Sequence, residues 1–263
     1  MLGTGYALAT RYYNTCFLLR SQDTLLMVDA GGGNQIFAQL EKASCSITSV
    51  HHLFLTHAHT DHVLGAVWVV RAVMQAMRQG SYDGKLEVYG NAKVTGVLEW
   101  MCRNMLPAKF HSLLGDRVIL HSLSDGEAFS VGRWQLNAFD IRSTKEPQYG
   151  FKVTFPSGKT LVCLGDEPYN EANRSWAAGA DWLLSEAFCL AADADRFHPY
   201  EKHHSTAHDA ACLAKDLGVR NLVLYHTEDK TLNRKETYTA EAQKAFPGRV
   251  FVPEDLETLT IED

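Results

Sequence analysis

Four side chains able to bind metal fall between residues 57 and 62: His57, His59, Asp61 and His62, in the segment THAHTDH. They follow Leu53-Phe54-Leu55, an apolar run that reads as a buried strand. Imidazole and carboxylate are ordinary protein ligands of Zn²⁺ and related divalent ions. One turn after a strand delivers all four with little further ordering. Such a cation acidifies water and polarises an ester or phosphoryl oxygen, so the chemistry this cluster suggests is hydrolytic. The bland alternative is a polar loop that happens to be rich in histidine, but loops seldom place three imidazoles and a carboxylate after a buried strand.

One such cluster does not fill two metal sites, so further ligands are expected at strand ends downstream. Asp166 follows Leu161-Val162-Cys163-Leu164-Gly165, and His226 follows Leu222-Val223-Leu224-Tyr225. A strand-end aspartate by itself is more often a turn residue or a helix cap. Together with the first cluster, both read as ligands.

The elements that must position these residues alternate along the chain. β-like runs cover 16–20 and 25–30, and residues 33–43 look helical. Val63, Ala66, Val67, Val70, Met74 and Met77 recur at three-to-four spacing, which predicts an amphipathic helix over 62–79 beginning at the ligand turn. A strand over 86–89 and a helix over 91–105 follow. Residues 117–164 read as strands broken by Asp-Gly, Val-Gly and Ser-Gly turns. The last third predicts strand 181–184, helix 205–217, strand 221–225, helix 237–246 and strand 249–252. Mixed in this way, the elements suggest two sheets with helices packed outside, in one domain spanning 1–263. The five tryptophans fit core positions.

Composition narrows the class. The chain has 263 residues, 46% hydrophobic and 21% charged, which is ordinary for a globular protein with a sizeable core. Its net charge of −6 lowers the expectation of a polyanionic partner, since nucleic-acid binders usually show a basic stripe. The six cysteines include no CxxC pair and mostly sit in apolar runs, as free thiols of a reducing compartment do. The N-terminus has no charged-then-apolar signal, and no apolar run approaches membrane-spanning length. The expectation is a cytoplasmic protein with no membrane partner.

These residues resemble the metallo-β-lactamase-fold hydrolases, and within them the ribonuclease Z-like branch. Leu2-Gly3-Thr4-Gly5 and Val28-Asp29-Ala30-Gly31 are similar to that branch's opening strands. HxHxDH falls on His57, His59, Asp61 and His62. Ser185-Glu186-Ala187-Phe188 is similar to its HEAT segment and His204-Ser205-Thr206 to its HST segment. The resemblance implies a four-layer αββα sandwich and a centre of Zn²⁺ or Mn²⁺, one or two per chain. His57 and His59 would serve one metal and Asp61, His62 and His226 the other, with Asp166 bridging. Asp61 would also hydrogen-bond a metal-activated hydroxide. His204 would protonate the leaving group, with Glu186 orienting it. The alternatives, less favoured, are that His204 caps the following helix and that Glu186 is an ordinary exposed acid.

Two departures qualify the resemblance. The branch usually supplies a third histidine to the first metal, yet Asp140 to Phe151 contains none; the equivalent place falls between Arg142 and Lys145. A protonated ammonium or guanidinium does not ligate a metal and repels one. The first site is therefore weak, short of ligands or displaced by a cation, unless His198 or His203 reaches in. Transfer-RNA-processing members also carry a long arm before the bridging aspartate, where this chain has only a hairpin from Phe151 to Asp166. The expected function is a metal-dependent phosphodiesterase acting on a small molecule or other phosphodiester, with tRNA disfavoured and a homodimer suggested by the branch. The rival readings are hydrolysis of another ester-type bond (lactone or thioester), and a metal-binding homologue without turnover.

Overall fold

The apolar runs that read as strands carry side chains to two different cores, and this alternation builds the layers. In the computed structural model, which describes residues 1–261, the first sheet is ordered β1-β2-β3-β4-β5. Its strands are Phe17–Arg20 (β1), Leu25–Val28 (β2), His52–Phe54 (β3), Leu86–Asn91 (β4) and Val118–Leu123 (β5). The second sheet contains Ala128–Val131 (β6), Trp134–Asp140 (β7), Tyr149–Thr154 (β8), Thr160–Cys163 (β9), Trp182–Glu186 (β10), Asn221–Tyr225 (β11) and Arg249–Phe251 (β12). Its order is β12-β11-β10-β9-β8-β7-β6.

Leu26 and Val28 of β2 point into the core between the sheets, while Met27 joins the core beneath the helices on the other face. Likewise Val223 and Tyr225 of β11 face the opposite sheet, and Leu222 and Leu224 face outer helices. Strands covered on both faces read as continuous apolar runs rather than alternating ones, which is why these segments looked uniformly hydrophobic. Ile36–Lys42 (α1), Thr60–Gln79 (α2) and Ala92–Met105 (α3) cover the first sheet. The second is covered from a chain region holding Arg174–Ala177 (α4), Ala194–Phe197 (α5), Ala207–Asp216 (α6) and Arg234–Ala242 (α7). The result is the αββα sandwich the sequence predicts.

The parallel strands β3, β9, β10 and β11 all run toward one edge. The chain leaves each of them within a few residues of a predicted site residue: His57, Asp166, Glu186 and His226. Ligand sites at the carboxyl ends of parallel strands are the general rule for such sheets.

Three expectations need correction. The ligand helix α2 begins at Thr60, so Asp61 and His62 lie in its first turn and His59 holds the N-cap position. Trp68 and Trp100 are not core residues: they are 37% and 61% exposed on α2 and α3, whereas Trp134 and Trp182 are buried as expected. The short helices α4 and α5 were not anticipated; each is a single turn, too short to show periodicity.

Close packing joins α2 to the first sheet at one glycine. Gly65 donates its N–H to the Gly31 carbonyl at 2.7 Å, and a Cβ at Gly65 would lie 1.8 Å from the Ala30 carbonyl oxygen. The helix therefore rests directly on the turn after Asp29. Gly65→Ala should push α2 off this turn and destabilise the fold by about 1–3 kcal/mol, read as a lower denaturation midpoint in urea. An unchanged midpoint would refute the contact.

Candidate metal centre

Asp29 follows β2 in a left-handed conformation, φ +52°, which a non-glycine residue adopts only at some cost. The bend turns its buried carboxylate toward the loop after β3. Oδ1 accepts from the Thr56 N–H at 2.9 Å, and Oδ2 accepts from the Thr56 hydroxyl at 2.8 Å and from His62 Nδ1 at 2.7 Å. Since the Thr56 hydroxyl donates to Asp29, it accepts from His57 Nδ1, 2.9 Å away. One carboxylate thus fixes the tautomers of two histidines and leaves both Nε2 atoms facing inward. His226 is held in the same manner: its Nδ1 lies 3.2 Å from the Thr15 hydroxyl, which donates to the Gly5 carbonyl.

The inward atoms form two groups. His57, His59 and Asp166 offer ligand atoms within 4.8 Å of one another, and so do Asp61, His62 and His226. Asp166 Oδ2 stands between the groups, 3.6 Å from His57 Nε2, 3.4 Å from His62 Nε2 and 3.6 Å from His226 Nε2. All six predicted ligands are brought together. His59 is the most exposed, with 38% of its side chain open to solvent.

The donor set fits divalent cations. Asp29, Asp61 and Asp166 are all buried, and His62 touches each of them. Burial alone would lower the His62 pKa, but Asp61 and Asp29 outweigh it and raise it well above the ordinary imidazole value. Burial lowers His57 and takes His226 down to about 3, so both present neutral, ligating nitrogens. His62 Nε2 is buried and makes no hydrogen bond, although Asp61 Oδ2 and Asp166 Oδ2 lie only 3.3 and 3.4 Å away. Three clustered buried carboxylates and an orphaned inward nitrogen are stabilised by a cation between them.

The region lacking the third histidine is resolved residue by residue. Arg142 turns outward to Asp125 and Asp140. Ser143 donates to Glu167 at 2.8 Å, and Thr144 meets exposed His203 at 3.2 Å. His198 pairs with Glu201, so neither extra histidine joins the first group. The residue that does reach it is Gln148, which the sequence reading missed: its Nε2 donates to Asp166 Oδ1 and lies 3.2 Å from His57 Nδ1. Glu146, also missed, accepts from the Ala58 N–H between the two first-site histidines at 2.7 Å and pairs with Lys93 at 2.6 Å.

His204 and Glu186 meet at the same edge. Glu186 is fully buried, not an exposed acid; its Oε1 accepts from the Ser205 N–H and hydroxyl, and its Oε2 lies 3.5 Å from His204 Nδ1. Nor does His204 cap the helix: Thr206 does, in a reciprocal capping box with Asp209. The His204 ring lies between Phe188 and His226, at centroid distances of 5.0 and 5.4 Å. Burial works to lower its pKa, but the neighbouring Glu186 carboxylate prevails and raises it. Burial also raises Glu186, so the pair retains a proton to higher pH than a free imidazole.

The fold and this centre define a metallo-β-lactamase-fold, metal-dependent hydrolase of the ribonuclease Z-like type. The model of the anti-Pycsar protein Apyc1 family matches residues 1–246, and the chain belongs to that family. It is 26% identical to a ribonuclease Z of Shouchella clausii, over 99% of this chain and 96% of that one. That alignment runs over 313 positions against 263 residues here, so the relative carries segments with no counterpart in this chain. The metallo-β-lactamase-fold protein YhfI of Bacillus subtilis superposes with TM-score 0.77 at 19% identity, covering 97% of this chain and 95% of that one. The short form of human tRNase Z gives 0.75 at 22% identity, covering 100% and 98%.

Partners that orient metal ligands typically matter roughly 10–100-fold in metal affinity. Asp29→Ala should therefore weaken metal retention by about that factor, and Gln148→Leu should do so by freeing Asp166. Metal content after graded chelator dialysis, measured by elemental analysis, reads both; wild-type retention in Asp29→Ala would exclude the orienting role.

Proposed function

We propose that this chain is a phosphodiesterase acting on a small phosphodiester, in which His57, His59, Asp61, His62, Asp166 and His226 would hold one or two Zn²⁺ or Mn²⁺ ions. The single observation that carries the reading is Asp166 Oδ2 lying between the two ligand groups, with the Glu186–His204 pair at the same edge. Bound there, divalent cations would acidify a water and neutralise charge on the phosphoryl oxygens.

The chain's own residues do the rest. Asp61, held in its ionised form, accepts a hydrogen bond from the attacking water and aims it. Asp29, Thr56 and Thr15 keep the imidazoles facing inward, which spares reorganisation during reaction. His204 gives the proton at Nε2 to the departing oxygen, while Glu186 holds Nδ1 and stabilises the cationic ring. An alkoxide leaving group needs that proton, and the raised His204 pKa keeps it available near neutrality.

Small substrates fit better than RNA. Between β8 and β9 the chain makes only a hairpin, with no inserted arm to grip a polynucleotide. The net charge of −6 adds no general attraction for one. As a member of the anti-Pycsar protein family, the protein would exert that role by hydrolysing a small diester. No helix among the described residues is long and apolar enough to cross a membrane. We place the enzyme in the cytoplasm, as one domain that pairs into a homodimer.

Asp61→Ala and His62→Ala should each abolish most hydrolysis of bis(p-nitrophenyl) phosphate; wild-type rates in either would sink the reading. A panel of cyclic and linear diesters, lactones, thioesters and precursor tRNA should show turnover concentrated in the small diesters. His204→Ala should cut kcat roughly 10²–10⁴-fold for diesters with poor leaving groups, and much less for nitrophenolate, which leaves without a proton. Because Glu186 raises the His204 pKa, activity should persist at pH above the ordinary imidazole value and fall as His204 loses its proton. Glu186→Gln removes the charge but not the burial, so the alkaline limb of the pH–rate profile should move to lower pH. A limb that stays in place would exclude His204 as the acid.

A further inference from the structure

The cleft over the metal groups has a volume of about 380 Å³. Among the described residues lining it, Lys145 carries the one lysine or arginine charge. Of the segment from Arg142 to Lys145, where a third histidine was sought, only this side chain lines the cleft. The loop that carries it is tied to three parts of the site: Glu146 to the Ala58 N–H, Ser143 to Glu167, and Thr144 to His203. Ser143 also accepts from the Lys145 N–H at 3.2 Å. A loop fixed on three sides holds its backbone in place, and this one puts Lys145 on the wall of the cleft that His59, Asp61, Asp166 and His226 also line.

The ammonium makes a long ion pair that leaves its hydrogen-bond donors open. Its nearest carboxylate is Glu167 Oε1 at 3.7 Å, beyond hydrogen-bond length, and that oxygen already accepts from Ser143. Glu167 directly follows Asp166 and is buried, so this long pair keeps the ammonium beside the centre. The side chain is 27% exposed, dry enough for its charge to be felt.

We propose that Lys145 is an anion-binding residue that holds a non-bridging phosphoryl oxygen of the substrate and makes the site prefer anionic esters to neutral ones. This rests on the phosphodiesterase reading and deepens it. A lysine is a compact point charge with three donors, suited to phosphate and unable to ligate metal while protonated. A diester carries its negative charge on the two non-bridging oxygens throughout the reaction. Lys145 adds positive charge opposite those oxygens from the substrate side of the cleft. A lactone or thioester has no such charge to offer, so the same lysine gives it nothing.

The test uses the full-length, metal-loaded chain with Lys145→Met, which keeps the apolar stem, and Lys145→Arg. Inorganic phosphate binding is measured by calorimetry, metal content by elemental analysis, and kcat/KM for bis(p-nitrophenyl) phosphate against p-nitrophenyl acetate. Lys145→Met should weaken phosphate binding about tenfold, the loss a charge-assisted hydrogen bond carries. Its diester-to-acetate ratio should fall similarly at unchanged metal content, and Lys145→Arg should recover most of both. Unchanged phosphate affinity in Lys145→Met, equal losses in both variants, or a gain of metal on removing the ammonium would each overturn the proposal. Lysine-dependent phosphate binding in a protein that turns over no diester would instead leave this site standing and discard the phosphodiesterase reading.

Discussion

The buried carboxylate of Asp29 is the interaction on which the centre depends. It receives His62 directly and His57 through the Thr56 hydroxyl, so histidines from both ligand groups owe their orientation to one side chain. It also meets the Thr56 N–H and thereby fixes where the chain leaves β3. The bend that aims it, φ +52°, is followed by the glycine turn on which Gly65 of α2 rests. Sheet edge, ligand loop and ligand helix are locked at a single point. Charge explains why the lock tolerates strain: an ionised carboxylate accepting three hydrogen bonds is well compensated even when buried.

The same economy recurs on the opposite sheet. His226 also adopts a left-handed backbone, φ +58°, immediately after β11, and is steadied by Thr15 from the start of the chain. Strain in residues that face the centre marks positions where direction matters more than local comfort. Between the two sheets, Asp166 offers one oxygen to the centre and the other to Gln148. Gln148 lets the aspartate keep its place without the additional imidazole found in the resembling branch. The segment that would carry that imidazole instead delivers Lys145, the proposed grip on an anion.

Much of this was legible in the sequence because the carriers of chemistry are local. His57 to His62 lie on one turn, and Asp166 and His226 follow apolar runs whose ends are visible by inspection. The strands covered on both faces announced themselves as continuous apolar stretches, and α2 by its three-to-four spacing. What misled was exposure. Trp68 and Trp100 read as core because aromatic residues on amphipathic helices usually are, yet a periodic pattern does not say how far a neighbouring layer extends over the helix. His204 and Glu186 were ambiguous for the same reason: cap and general acid share a sequence, and only the burial of Glu186 and the Thr206–Asp209 box separate them.

The sequence by itself determined the six candidate ligands, the two-sheet layering and the absence of a histidine between Asp140 and Phe151. These follow from residue type and from periodicities that span a few residues. Tertiary structure alone decided what orients the ligands. Asp29 lies 33 residues from His62, Thr15 lies 211 from His226, and Gln148 lies 18 from Asp166 across a strand pairing. A hydrogen bond between such partners leaves no periodic trace, because it depends on where separate strands bring their ends. The direction of Lys145 was decided there too: four consecutive polar residues look alike in sequence, and only the contacts around them turn one into the cleft and the others away.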